Sequence, residues 1–573
     1  MLGETGVGPQ GPTPVSLFGW MAHRSGVTHA PGSTDRRTFV VQLTAAVGGV
    51  LGAPAILRSA PDAPDLILRG GVLIDGLGRP RFQADLAITG DRITAIGRKL
   101  REKGAVELDC RDRIVAPGFV DVHSHGDGTV FDDPMQESLI RQGVTTIIVG
   151  ADGSSRAPAM DPDGDAPLTV AAVLERFDRL GPSTNIGTLV GLGSVRALVV
   201  GEADRPATAT ELRRMVTLVE RALADGALGT SSGLEYTPGA FATREELIAL
   251  CRPLADRRLA YHTHMRNEDD QLLEAVDEAI AVARGATCGL QIAHLKTQGP
   301  RNWPKLDAVF ERIGAARTAG IDVAFDRYPY LAYHTGLTNL FPAWTRDGGM
   351  GRFFERIDDR ATADRIRAEA NEKAALIGGW ENVQISRVAV AEDEVVVGQR
   401  LGSFAQQLAL DPYDVAVGLL RRNDGSVSMI GFAMSEGNLE RILAHPQGMV
   451  ASDGTAYAIS GPARRGSPHP RGAGSFARVL GRYVRERKTL TLEQAVQKMT
   501  SLPASRVGIT SRGRLAIGAY ADLVVFDADR VTDRADFRDP FQYAEGITAT
   551  IVNGGLAFVD GGRGLRTGRA LRG

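Results

Sequence analysis

The chain has 573 residues, of which 43% are hydrophobic and 23% charged, and this composition excludes an intrinsically disordered protein and leaves room for several domains. Lys and Arg number 66 against 68 Asp and Glu, so the net charge is −2 and no excess of positive charge is available to hold a polyanion. A nucleic-acid partner is therefore not expected, and a small-molecule substrate is. Three cysteines are too few for a disulfide framework or a thiolate zinc site.

The N-terminal region resembles a twin-arginine export signal. Residues 33–43 read STDRRTFVVQL, with Arg36 and Arg37 as the pair, and the weakly apolar stretch TAAVGGVLGAPAIL follows. Glycines and a proline interrupt this stretch, so we expect no stable membrane insertion. The prediction is a signal and leader over 1–60 that exports the protein to the periplasm or the extracellular space. A disordered arm that carries no signal is the alternative, and the protein would then be cytoplasmic.

Both ends of the remaining chain carry the pattern of antiparallel β-structure. LILRGGVLIDGLG and ADLAITGDRITAIG near the start, and GRLAIGAYADLVVFDADR near the end, alternate apolar and polar residues between glycine turns. We predict that residues 61–115 and 505–573 form one small β-sandwich domain around an inserted middle.

In the middle of the chain, short apolar strands alternate with helical stretches. TTIIVG, LAYHTHM and LQIAHLK are examples of the strands, and DDQLLEAVDEAIAVARG is one of the helices. Strict succession of strand and helix predicts a parallel sheet, and at this length a (β/α)8 TIM-type barrel is favoured over an open doubly wound sheet. The α/β barrel is assigned to residues 116–504, with an inserted subdomain at about 341–411, where charged helical sequence breaks the alternation.

Polar side chains follow five of the predicted barrel strands, at the edge where such barrels place their chemistry. His123 and His125 lie two residues apart, which on an extended chain turns both imidazoles to one side. Each histidine alone is more often a core or loop residue than a metal ligand, but the set as a whole predicts a divalent metal centre of imidazole and carboxylate ligands. Zn²⁺ suits these ligands, and Mn²⁺, Co²⁺ or Fe²⁺ are possible. The residues of this set are His123, His125, Asp152, His262, His264, His294 and Asp453.

Such a centre predicts a hydrolase. A metal ion lowers the pKa of bound water from ~15.7 toward ~7 and polarises a scissile carbonyl, which supplies a metal-activated hydroxide at neutral pH. A carboxylate beside the ion is needed to move protons. Asp453, in MVASDG at the end of the last predicted strand, is our candidate for this catalytic role, with a simple SDG turn as the alternative.

The order of the motifs resembles the amidohydrolase superfamily and, more narrowly, the N-acyl-D-amino-acid deacylase (D-aminoacylase) family, from residue 65 to about 555. The matching segments are APGFVDVHSHGD, QGVTTIIVG, GTSSGLEYTPG, THMRNE, AHLK, DRYPY, ASDG and HPRGAGSFARVLGRY. The resemblance implies a barrel with a small β-sandwich and one or two zinc ions. It implies His123, His125 and Asp453 at one metal position, and His264 and His294 at a second, with no metal role for His262.

The resemblance also implies an activity, namely hydrolysis of the linear amide of an N-acyl-D-amino acid to a carboxylate and the free D-amino acid. An amidohydrolase acting on another carbon–nitrogen bond, in a dipeptide or a cyclic amide, is the alternative. A scaffold without catalysis is disfavoured because five ligands that the resemblance implies are all in place, namely His123, His125, His264, His294 and Asp453. The motifs carry no signal for D or L preference, acyl preference or oligomeric state.

One segment departs from the family's pattern. The family usually places a cysteine ligand after the second strand, whereas this chain reads Gly150-Ala151-Asp152-Gly153. Asp152 is interpreted as a carboxylate substitute that bridges two ions, and the alternative is a turn residue. Glu235, in GTSSGLEYTPG, is the second candidate for the bridge.

A free α-carboxylate on the substrate would require cationic or hydroxyl donors. Lys296 follows His294 by two residues and points the same way on a strand, and Tyr328 in DRYPY and Arg471 in HPRGAGSF are further candidates. In the family, residues at matching places hold this carboxylate. The alternatives are a solvated lysine, a core tyrosine and a helix-capping arginine.

Overall fold

The computed structural model describes residues 63–161, 166–562 and 564–573, so the predicted signal and leader lie outside the described residues. Eight parallel strands form a barrel, the third of them in two pieces. A parallel bridge between Ser124 and Gly454 joins the segments that follow the first and last strands. The barrel strands are Phe119–Asp121, Val144–Val149, Asn185–Thr188 with Val190–Gly191, Gly229–Gly233, Ala260–His264, Gly289–Ile292, Val323–Arg327 and Gly448–Val450.

Amphipathic helices surround this barrel. In Ala209–Ala224, Met215, Val219 and Ala222 are buried at helical spacing, and the Thr208 side chain caps the first turn, so one apolar stripe fixes the helix against the strands. The helices of the barrel and its loops are Glu137–Ile140, Val170–Leu180, Leu192–Val199, Ala209–Ala224, Arg244–Cys251, Leu272–Ala286, Leu306–Thr318, Glu436–Ala444, Arg471–Arg478, Leu492–Met499 and Ser501–Arg506, with a π-helix over Val479–Glu486.

Strands from both ends of the chain pair in one eight-stranded sheet. Ile114–Pro117 joins the two ends, because it pairs in parallel with Leu66–Leu73 and antiparallel with Leu523–Phe526. The predicted fold class is confirmed, while the domain limits stay predictions. The strands of this sheet are Leu66–Leu73, Phe82–Thr89, Arg92–Gly97, Val106–Asp109, Ile114–Pro117, Leu523–Phe526, Ile547–Val552 and Gly555–Val559.

The run RIVAPGFVD, which has the sequence pattern of one continuous strand, is divided between two sheets. Ile114–Pro117 belongs to the terminal sheet and Phe119–Asp121 to the barrel, with Gly118 between them. A Cβ at Gly118 would lie 2.2 Å from Cγ2 of Thr145, so glycine is needed where the chain passes from one domain to the other. The uninterrupted apolar character of both strands hides this boundary in the sequence.

A separate small sheet lies at the predicted insertion of 341–411 and on both sides of it. It is built on three antiparallel strands, Ala332–Gly336, Val383–Arg387 and Ser428–Phe432, the first and last of which lie outside that range. Both strands are as short as barrel strands, and AYHTG of Ala332–Gly336 differs from the barrel strand AYHTH of Ala260–His264 by one residue, so the sequence pattern does not separate them. The helices of the subdomain are Met350–Asp358, Ala363–Leu376, Leu401–Gln407 and Pro412–Arg422.

Two further features complete the described part. A short ladder pairs Ala159–Met160 with Pro167–Leu168. None of the described helices combines the length and the apolar character that a membrane crossing requires.

Candidate metal centre

The carboxyl ends of the barrel strands bring six of the seven predicted residues into contact. Three of them, Asp152, His294 and Asp453, hold positive φ angles of 50°, 35° and 50°. L-residues rarely adopt this region, which costs of order 1–3 kcal/mol per residue and is retained where the surrounding structure aims a side chain for function. The backbone at three strand ends is therefore shaped to turn ligand atoms inward.

The first ligand group contains His123, His125, Asp152 and Asp453. Its donor atoms all lie within 4.8 Å of one another. Nε2 of His123 lies 3.4 Å from Oδ1 of Asp152, and Nε2 of His125 lies 3.1 Å from Oδ1 of Asp453. Two imidazoles and two carboxylates at this spacing can surround one divalent ion.

The second ligand group contains Asp152, His264 and His294. Nδ1 of His264 lies 2.9 Å from Nε2 of His294, which in turn lies 3.6 Å from Oδ2 of Asp152. Asp152 thus contacts both groups, one carboxylate oxygen toward His123 and the other toward His294. Glu235, the second candidate for the bridge, lies 3.4 Å from Nε2 of His264 and contacts the second group alone.

One direct test indicates that the residues of the first ligand group fit a metal ion. Nε2 of His123 and Oδ1 of Asp152 are buried atoms without a hydrogen-bond partner. Leaving such atoms unpaired costs roughly 1–3 kcal/mol each, so their persistence at 3.4 Å from each other indicates a position for a cation.

The charges of the two groups stabilise one another. Burial opposes the charged form of Asp453, but the Arg471 guanidinium and the neighbouring imidazoles outweigh it, and the pKa of this carboxyl lies well below its usual range. Burial likewise opposes protonation of His125, yet Asp152 and Asp453 raise its pKa to about 9. The carboxylates are therefore ionised and available to a cation.

Two acidic residues that the sequence analysis missed orient the histidines. Asp326 lies 3.3 Å from Nδ1 of His123 and accepts a 2.8 Å hydrogen bond from the backbone N–H of His294. Glu268 lies 3.0 Å from Nδ1 of His294. Carboxylates in this position fix the ring orientation of ligating histidines. The sequence could have indicated both as candidate site residues, because Asp326 lies at the end of a predicted strand and Glu268 is the last residue of the THMRNE motif.

The three predicted substrate-binding residues lie at the same face, in different environments. Arg471 lines a cavity of about 470 Å³ with His125 and Asp453, and its Nη1 donates a 2.6 Å hydrogen bond to Oδ2 of Asp453. The hydroxyl of Tyr328 is buried without a partner. Lys296 lies deeper, where its Nζ donates to both oxygens of Glu268 at 2.6 Å, so its charge is already matched.

The inserted subdomain lines the same cavity, which the sequence did not indicate. His334 and Ser428 from its sheet face Tyr236 and the metal groups. Burial, together with the nearby Arg471 charge, lowers the pKa of His334 to about 3, so this imidazole is neutral. His334 carries no family motif, and only the fold shows that it reaches the site.

His262 stays apart from both groups. Burial and the neighbouring Arg506 lower its pKa to about 3, and its Nε2 has no hydrogen-bond partner among the described residues. It belongs to neither group of donor atoms described above.

Comparison with known proteins identifies the family. The Amidohydrolase family model matches residues 445–558. N-acyl-D-glutamate deacylase of Alcaligenes xylosoxydans xylosoxydans is 39% identical over 519 residues, which is 89% of this chain and 96% of that protein. The chain belongs to the N-acyl-D-amino-acid deacylase family of amidohydrolases. The family resemblance inferred from the motifs is therefore confirmed.

Solved structures of this deacylase family agree. N-acyl-D-glutamate deacylase of Bordetella bronchiseptica, in complex with zinc and a phosphonate mimic of the tetrahedral intermediate, has a TM-score of 0.77 and 36% identity, covering 89% of this chain and 100% of that one. A D-aminoacylase with a binuclear metal centre has a TM-score of 0.76 and 33% identity over the same shares. The predicted enzyme class, a hydrolase of carbon–nitrogen bonds other than peptide bonds, is confirmed.

Proposed function

We propose that this chain hydrolyses N-acyl-D-amino acids to a carboxylic acid and the free D-amino acid at a zinc centre. The observation that carries the proposal is the position of Asp152, one carboxylate in contact with both ligand groups. The zinc-containing relative supports the metal, and the binuclear D-aminoacylase, which one metal activates and a second attenuates, supports room for two ions.

The residues of the two groups would hold two ions. His123, His125 and Asp453 would hold the first, His264 and His294 the second, and Asp152 would lie between them. When bound, the metal supplies Lewis acidity toward the amide carbonyl and toward water. Carboxylate and imidazole donors without a thiolate make the centre harder than one bridged by cysteine.

Asp453 is the proton carrier in this proposal. It is buried, ionised and 3.1 Å from His125, and it borders the cavity where a substrate amide would lie. It would accept a proton from water and deliver it to the leaving nitrogen, because this carboxylate belongs to the first ligand group and also lines the cavity. The hydrogen bond from Arg471 holds the carboxylate in that orientation.

Arg471 has a second role in this proposal, which is to bind the α-carboxylate of the substrate. We expect Arg471→Ala to raise KM for N-acyl-D-amino acids on the order of 100-fold, because a charge-assisted pair is lost, while KM for their methyl esters changes little. A fall in kcat common to acids and esters is also expected, since Arg471 supports Asp453. Steady-state kinetics on acid and ester pairs measures both, with Arg471→Lys as the partial rescue. Equal KM changes for acids and esters would remove Arg471 from this role.

The test of the function is a chiral panel on zinc-reconstituted enzyme. N-acetyl derivatives of D- and L-amino acids are assayed beside dipeptides and a cyclic amide, with release of the free amine as readout. We expect turnover of N-acetyl-D-amino acids and at least ~100-fold less of their L-forms, a difference of a few kcal/mol that shape-selective sites reach. Turnover confined to dipeptides or the cyclic amide would replace the proposed substrate class.

Export by the twin-arginine route is part of the same proposal. The Arg36–Arg37 pair and the apolar stretch after it support a periplasmic or extracellular location. The twin-arginine route exports proteins that are already folded, so it would suit an enzyme that binds its metal in the cytoplasm before export. Fractionation of cells that express the full chain, beside the Arg36→Lys, Arg37→Lys variant, tests this location.

A further inference from the structure

A further cavity of about 470 Å³ lies at the end of the barrel opposite the metal centre. Ala260 and Gly289 begin two of the barrel strands and Ala324 is the second residue of another, whereas the metal groups lie beyond the last residues of the strands. Barrel interiors are usually filled by bulky branched side chains, so these small residues leave room at the floor of the barrel. This floor cavity is lined by, among others, Arg258, Ala260, Gly289, Arg317, Ala324 and Arg506.

The floor cavity carries an excess of positive charge. Arg258, Arg317 and Arg506 line it, and Asp322 is the one carboxylate among the described residues of its lining. This carboxylate is shared, because its Oδ1 lies 3.3 Å from Nη1 of Arg317 and its Oδ2 lies 2.6 Å from Nη1 of Arg506. Arg258 is exposed, and none of the ion pairs in the described part of the chain includes it. Three guanidinium groups against one carboxylate leave two positive charges uncompensated.

Arg506 is the most deeply buried of these cations. Its side chain is 6% exposed, whereas that of its partner Asp322 is 67% exposed. Its Nη2 donates a 3.3 Å hydrogen bond to the backbone carbonyl of Asp322, but its Nε is a buried atom without a hydrogen-bond partner. A well-solvated carboxylate compensates a buried cation only weakly, and an unpaired buried donor is costly. An anion that accepts a hydrogen bond from this Nε would remove both costs.

The position of the Arg506 guanidinium depends on Gly289. A Cβ at Gly289 would lie 3.3 Å from Nη1 and 3.4 Å from Nη2 of Arg506, so the absence of a side chain lets the guanidinium lie against the start of this strand. The side chains of Thr287, Gln447 and Ser505 line the same cavity and offer hydroxyl and amide donors. The floor cavity thus combines a buried guanidinium with several neutral hydrogen-bond donors.

We propose that the floor cavity binds a phosphate dianion, free or as the ester of a small metabolite, at a second site separate from the metal centre. A dianion matches the two uncompensated charges, and its oxygens can accept hydrogen bonds from several donors at once. Arg506 would donate from inside the barrel floor, while Arg317 and Arg258 would close over the anion from its more exposed side. Leu259 and Leu502 also line the cavity and would contact the organic part of an ester.

Calorimetric titration of the full-length, zinc-reconstituted protein tests this site. Inorganic phosphate and phenyl phosphate are titrated at about pH 8, where both are dianions, and at constant ionic strength. We expect Arg506→Met to abolish binding and Arg317→Met to weaken it on the order of 10-fold, because each removes a charge-assisted donor. Arg312→Met is the matched control. It removes the same charge from the helix that carries Arg317, but Arg312 is paired with Asp277 outside the cavity, so binding should be unchanged.

The source of the phosphate follows from the two titrants. Tighter binding of phenyl phosphate indicates an ester, and equal or weaker binding indicates free phosphate. Circular dichroism checks the fold of Arg506→Met, and Arg317→Met, which alters a partly exposed side chain, decides the test if the buried substitution unfolds the protein. Absence of phosphate binding, or affinity that Arg317→Met leaves unchanged, overturns the proposal. Binding that is lost when zinc is removed but is insensitive to Arg317→Met belongs to the metal centre and overturns it as well.

Discussion

Replacing Asp453 with asparagine is expected to lower kcat on the order of 1,000-fold while the fold stays intact, because a positioned general base or acid contributes roughly 100- to 10,000-fold. Asn has nearly the same shape but cannot accept or deliver the proton. It also leaves Arg471 without its buried carboxylate partner, now 2.6 Å away. Steady-state kinetics on an N-acetyl-D-amino acid, with circular dichroism to check folding, measures the effect.

The control for this variant is Asp322→Asn, which removes a carboxylate that is paired with Arg506 but 67% exposed and far from the metal groups in the fold. We expect its kcat to equal that of the wild type. Metal content must be measured in both variants, because Asp453 is also a proposed ligand. Near-normal turnover by Asp453→Asn with a full complement of zinc would contradict the proton-carrying role.

The ligand groups could be predicted from sequence because each ligand lies next to a strand end. A parallel barrel brings all carboxyl ends to one face, so residues as distant in sequence as His123 and Asp453 meet there without further information. The aspartate at position 152, where the family usually has a cysteine, could also be recognised from sequence, because it follows the family motif QGVTTIIVG. Its contact with both groups required the three-dimensional arrangement, in which positive φ turns the side chain inward.

Other parts of the site carry no local signal. His334 reaches the cavity from the inserted subdomain, and its strand resembles a barrel strand in sequence. The partners of a charged residue are equally hidden. Lys296 and Arg471 are both buried cations of the site, yet Lys296 is paired with Glu268 and Arg471 with Asp453. Long-range pairing decides these partners, and no spacing rule along the chain encodes them.

Removing the carboxylate of Asp152 should have the largest effect on metal binding. Asp152→Ala deletes the side chain that the two ligand groups share, so His123 and His294 both lose a carboxylate neighbour. Residues that merely orient ligands contribute roughly 10- to 100-fold to metal affinity, so we expect at least that loss for a direct ligand, and a fall in bound zinc from two ions toward one or none. Inductively coupled plasma analysis after dialysis against a weak chelator measures it.

Asp152→Cys provides the informative comparison, because a thiolate can also lie between two ions but is softer than a carboxylate. We expect this variant to retain zinc and to bind Mn²⁺ less well than the wild type, which competition titrations with the two metals would show. On the cobalt-loaded protein, a sulfur-to-metal absorption band in the variant alone would report direct contact at position 152. Unchanged zinc content in Asp152→Ala, or no such band in Asp152→Cys, would mean that Asp152 is a turn residue and that the two ions share another ligand.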